Sequence, residues 1–149
     1  MKKNLLIVAI VAMASLFLAA GIYAGTAFVD NIKMENKIYS AHTKGIADFS
    51  HKKHAEDYKI GCGECHHDAS NKPLSLKAGD NVQGCAECHP KPGLAPKGKD
   101  APQLSAAEKM QFHAEAIHAN CIGCHKASND KTGTKNAPTA CTKCHPSAK

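Results

Sequence analysis

The sequence predicts a mainly α chain with extensive irregular loop and little β, organised around covalently attached groups rather than an apolar side-chain core. Three observations carry this expectation. Several of the large apolar residues sit in the first 29 positions, one cysteine motif recurs until it has used every cysteine, and one segment carries helix-start chemistry. The chain has 149 residues, three Tyr, four Phe and no Trp. That length suggests one domain, but a domain poor in core-forming side chains cannot offset its conformational entropy without staples or a bulky cofactor.

From the N-terminus, Lys2 and Lys3 precede an uncharged, mostly apolar run from Asn4 to Val29. A positive flank followed by an apolar stretch is the layout of an export signal. Ile22-Tyr23-Ala24 fits a cleavage site, so residues 1–24 read as a signal peptide and 30–149 as a single domain. The apolar run also reaches the span of a bilayer, about 20 residues, and an uncleaved membrane anchor stays open beside the signal peptide. Both readings export the remainder.

All eight cysteines fall in four copies of Cys-x-x-Cys-His: CGECH with Cys62, Cys65 and His66; CAECH with Cys85, Cys88 and His89; CIGCH with Cys121, Cys124 and His125; CTKCH with Cys141, Cys144 and His145. This is the attachment pattern for haem c. Each thiol adds across one vinyl group of the porphyrin, and the adjacent imidazole binds the iron from one face. The two intervening residues only set the spacing, which fits their variety here. A disulfide framework gives no reason for a histidine after every second cysteine. Zinc uses paired motifs and leaves those histidines unexplained, and a thioredoxin-like site needs one CxxC on a βαβ unit. Four haem c groups are therefore expected, and their flat apolar faces supply the missing burial. Gaps of 18, 31 and 15 residues between motifs keep the haems close in space.

Each iron has a second axial position. His42, His51, His54, His67, His113 and His118 lie outside the motifs, whereas only Met34 and Met110 remain beyond the N-terminal segment. Histidine can fill four places; methionine cannot. The stretch LSAAEKMQFHAEAIHANC predicts a helix near 105–120, with Ser105 and Glu108 forming a capping box and Asn120 suiting the C-terminal end. His113 and His118 both lie on it, five residues apart and so roughly 140° apart around the axis. They cannot serve one face together.

FSHKKH at 49–54, followed by CGECHH at 62–67, resembles the start of a class III cytochrome c, the tetrahaem cytochrome c3 family. The resemblance covers roughly residues 45 to 146. It implies a haem-organised fold and the axial pairs His51 with His66, His67 with His89, and His54 with His125. It also favours His118 over His113 as partner of His145, leaving His42 and His113 with no haem, as ordinary surface histidines. The sequence departs from many members of that family in the 31-residue stretch containing KPGLAPKGKD, and in the N-terminal part through Ser40 that carries His42.

With two histidines on every iron no coordination position is open, so the expected role is periplasmic electron transfer at low potential, and not catalysis. The family resemblance implies redox partners such as hydrogenases, formate dehydrogenases or membrane quinone-linked complexes. Two other readings stand beside it: a reductase with one open haem, and a conductive filament in which His42 or His113 binds a haem of the next subunit. Nucleic acid is discounted, because all 19 basic residues are dispersed lysines and the base-reading arginine is missing. Without residues 1–24 there remain 17 lysines against 13 acids. Eight propionates and four ferric porphyrins bring the formal charge to zero, and full reduction then builds negative charge. Reduction is thus expected to raise propionate or histidine pKa values.

Overall fold

The computed structural model describes residues 28–147. The predicted cleavage site and nearly all of the apolar run lie outside the described residues. Among those described, no helix is long and apolar enough to cross a membrane. The described residues divide into two compact units: Phe28 with Lys77–Val82, and 29–76 with 83–147. The smaller unit contains a turn in which the Asp80 carboxylate accepts from the Lys77 N–H at 2.7 Å. All four cysteine motifs lie in the larger one.

The larger unit has little regular structure, as expected. Strand β1 (Ile32–Lys33) pairs antiparallel with β2 (Asp48–Phe49), placing Ile32 opposite Phe49. Just beyond β2, Lys52 donates its N–H to the Asp30 carbonyl at 3.1 Å. These bonds anchor the segment from which His51 and His54 project. A single π-helical turn, Lys53–Asp57, follows.

Three motifs form isolated helical turns: a 3₁₀ turn at Cys62–Glu64, α1 (Cys85–Cys88) and α4 (Cys141–Cys144). The helical turn is what brings cysteines three apart onto one side. In each, the histidine N–H bonds back to the first cysteine's carbonyl, at 2.9 Å for His66 and His89 and 2.8 Å for His145. The third motif instead lies within a longer helix.

That helix corrects the expected boundaries near 105–120. Ser105 does cap α2 (Ala106–Met110): its Oγ accepts from the Glu108 N–H at 3.2 Å, and Glu108 Oε2 accepts from the Ser105 N–H at 2.8 Å. The helix then breaks at Phe112, whose φ of −83° and ψ of 119° are extended. The break has a partner. Lys91 donates to the Gln111 carbonyl at 3.0 Å and accepts from the His113 N–H at 2.7 Å, so strand-like pairing takes over for one residue. α3 (His113–Thr132) then runs 20 residues, through the whole third motif. Asn120 does not end it; nothing in CIGCHKASNDK interrupts a helix strongly enough. The end comes at Gly133, in the left-handed region at φ 66°, where glycine meets no Cβ clash.

The side-chain core is minimal. Among the described residues, Ala95 at 5% exposure and His113 at 7% are the buried ones.

Candidate haem-binding centres

Eight histidine rings meet as four pairs. His51 and His66 have ring centroids 6.3 Å apart, His54 and His125 6.2 Å, His67 and His89 6.0 Å, and His118 and His145 6.0 Å. Every pair joins one motif histidine to one from elsewhere in the chain. Two imidazoles each bound to one metal at about 2 Å, with roughly 1 Å more from nitrogen to ring centre, stand about 6 Å apart. The pairs therefore fit one iron between each. Ring planes cross at 79°, 64° and 84° in three pairs but at 25° in His54–His125.

The outer nitrogens explain which edge faces inward. Nδ1 lies at hydrogen-bond distance from a backbone carbonyl in six of the eight rings. The partners are Val29 for His51 (3.2 Å), Ser50 for His54 (2.9 Å), Asp68 for His67 (2.8 Å), Met110 for His89, Pro138 for His125 (2.6 Å) and Gly45 for His145 (2.8 Å). A carbonyl only accepts, so Nδ1 carries the proton and donates. Nε2 keeps its lone pair, and the bond fixes ring orientation, as is usual around metal-bound histidine. Burial, and next the nearby His51 and His67, holds the His66 pKa below its usual value, which also favours the neutral ring.

Several residues that sequence reasoning passed over build these supports. The Phe49 ring packs 4.7 Å from His54 and 5.9 Å from His51. Asp68 closes a turn by accepting from the Ser70 and Lys72 N–H groups, each at 2.9 Å, and this steadies the backbone behind His67. Asn129 grips Ala137 twice, donating to its carbonyl at 2.9 Å and accepting its N–H at 3.0 Å, which seats the neighbouring Pro138 carbonyl on His125. Gly45 lies so close to the end of the fourth motif that a Cβ would meet the Pro146 carbonyl oxygen at 2.0 Å. The Phe49 and Asp68 contacts are local, within five residues, whereas the Asn129 and Gly45 contacts depend on backbone that only the fold brings near.

His113 and His42 stand outside the pairs. His42 is exposed, 5.2 Å from the Tyr39 ring. His113 is not the surface histidine the sequence suggested: it is buried, with Nδ1 3.1 Å from the Tyr39 hydroxyl. Burial, and then the nearby His89, lowers its pKa.

The eight cysteines form no disulfide. Burial, with other motif cysteines adding to it, pushes the Cys121 thiol up to about 11. An activated redox thiol needs the opposite shift. Among the described residues, no group of three or more His, Cys, Asp or Glu converges to hold a bare metal ion.

Residues 27–145 match the model of the class III cytochrome C family. This chain belongs to the class III cytochromes c. It is 36% identical over 107 residues to cytochrome c3 of Maridesulfovibrio salexigens, covering 72% of this chain and 84% of that protein. It is 33% identical over 106 residues to cytochrome c3 of Desulfovibrio desulfuricans, covering 70% and 81%. An 84-residue stretch is 39% identical to part of the high-molecular-weight cytochrome c of Nitratidesulfovibrio vulgaris, covering 56% of this chain and 12% of that protein. As a class III cytochrome c, the chain is a multihaem electron-transfer protein carrying haem c.

Proposed function

We propose that this cytochrome is a periplasmic, low-potential electron carrier with four covalent haem c groups, each held by two histidines. The carrying observation is the set of four cross-chain ring pairs at 6.0–6.3 Å, each containing one CxxCH histidine. Cys62 and Cys65 would anchor the first haem with His66 and His51 on its iron. Cys85 and Cys88 serve the second with His89 and His67. Cys121 and Cys124 serve the third with His125 and His54, and Cys141 and Cys144 the fourth with His145 and His118. The haems supply reversible one-electron storage. The polypeptide orients their ligands, fills both axial positions and leaves no iron site for a substrate.

The two rival readings have less support. A reductase with an open fourth haem needs His145 without a partner, whereas His118 faces it. A filament bridged by His113 needs that ring presented outward, whereas it is buried against Tyr39, which leaves the exposed His42 as the bridging histidine of that reading. The exposed lysines suit salt-sensitive docking to an acidic face of a redox partner, such as a hydrogenase, formate dehydrogenase or quinone-linked complex.

Pyridine haemochrome absorbance measured against protein mass tests the stoichiometry. Four haems per chain are expected, and three or fewer contradict the reading. Recovery in the periplasmic extract or on the periplasmic side of the inner membrane is expected; recovery in the cytoplasm contradicts it.

A further inference from the structure

Among the described residues, Tyr39 and His113 make a part-buried polar contact that none of the four ring pairs uses. Tyr39 is presented by a short turn, its N–H bonded to the Asn36 carbonyl at 3.2 Å, and its hydroxyl lies 3.1 Å from His113 Nδ1. The two rings meet edge to face, with centroids 5.6 Å apart. His113 is 7% exposed. A buried imidazole left without that hydroxyl would lose a hydrogen bond in a place where water cannot replace it freely.

His113 is also the first residue of α3, and its backbone sits where two chain segments are laced together. Its N–H donates to the Lys91 carbonyl at 2.7 Å, the Lys91 N–H donates to the Gln111 carbonyl at 3.0 Å, and the Ala114 N–H donates to the Gly93 carbonyl at 3.0 Å. Lys91 Nζ lies over the Phe112 ring at 5.3 Å. One end of this lacing is the Met110 carbonyl, which accepts from His89 Nδ1. Thus the carbonyl that orients His89 belongs to a backbone turn held in place three residues later by a buried side chain.

We propose that Tyr39 and His113 are positioning residues for the second haem: their contact fixes the Met110 carbonyl and through it the ring plane of His89. The inference rests on the assignment of His89 and His67 to one iron. Outer-shell partners of metal-bound histidine tune ligand basicity and orientation, and hence potential. The device is local, because His89 alone among the ring pairs borrows its carbonyl from this turn.

The test uses the holoprotein with Tyr39→Phe, which removes only the hydroxyl, and His113→Leu beside His113→Asn, whose amide reaches near the Nδ1 position. Haem methyl resonances are assigned in the oxidised protein by their contacts to the histidine pairs. Tyr39→Phe and His113→Leu should displace the methyl resonances and the potential of the haem between His67 and His89, leaving the other three in place. His113→Asn should restore them toward wild type. Unchanged spectra, or equal displacement of all four haems, overturn the proposal while leaving the carrier reading intact. A wild-type spectrum without four low-spin haems would instead overturn the ligand assignment on which the inference depends.

Discussion

His118 and His113 are five residues apart on the same polypeptide stretch, yet they face different fates. His118 stands 6.0 Å from His145, ring centre to ring centre, while His113 is bonded to Tyr39. His118→Ala should therefore leave one iron open, and reduced protein should bind carbon monoxide at about a quarter of its haem. His113→Ala should bind none. The four ring-plane angles make a second residue-level prediction. The 25° pair His54–His125 should give an electron paramagnetic resonance signal distinct from the three haems whose ligand planes cross at 64° to 84°. Four signals of one kind would contradict those angles. At this scale the sequence named the eight rings that the fold brings together in pairs, because CxxCH is a chemical signature and the remaining histidines could be counted. It was silent about Tyr39, Gly45 and Asn129, whose roles exist only once remote backbone arrives beside them.

Elements carry the geometry from one centre to the next, and their ends are where it is set. Gly133 stops α3 in the left-handed region, so Gly133→Ala should cost about 1–2 kcal/mol in denaturant unfolding of the holoprotein. Asn129→Ala, which releases Ala137, should cost about 1–3 kcal/mol and broaden the signal of the His125 haem. At α2 the Ser105 hydroxyl, and then its backbone N–H, hold the Glu108 carboxyl below its usual pKa. A carboxylate depressed in the folded state contributes its stability above the unfolded value of about 4.3 and loses it as pH falls through the folded one. The Ser105 amide should accordingly lose protection from exchange only in the acid range, and Glu108→Gln, whose amide accepts the same N–H without titrating, should abolish that pH dependence. The capping box was legible in advance because it is local. The break at Phe112 was not, since Lys91 supplies the competing partner from 21 residues earlier, and the helix end was misplaced because Asn120 only resembles a terminator.

Across the whole molecule, a chain whose described residues bury little beyond Ala95 and His113 must draw its order from bound porphyrin. That much was visible in the composition, with its sparse apolar residues beyond position 29 and its four motifs. Protein produced without haem attachment should lack cooperative thermal unfolding, whereas the holoprotein should show it. Reduction places added negative charge on the haem irons, close to propionates and ligands packed in a small volume, and so raises their pKa values; midpoint potentials should then fall with rising pH, and flat potentials between about pH 6 and 8 would contradict the coupling. The central claim, that every iron holds two histidines, meets its most direct test in the absorption spectrum of dithionite-reduced protein before and after carbon monoxide. An unchanged low-spin spectrum is the result expected of four closed irons. A shift involving about a quarter of the haem would show one iron open to ligand and contradict the pairing.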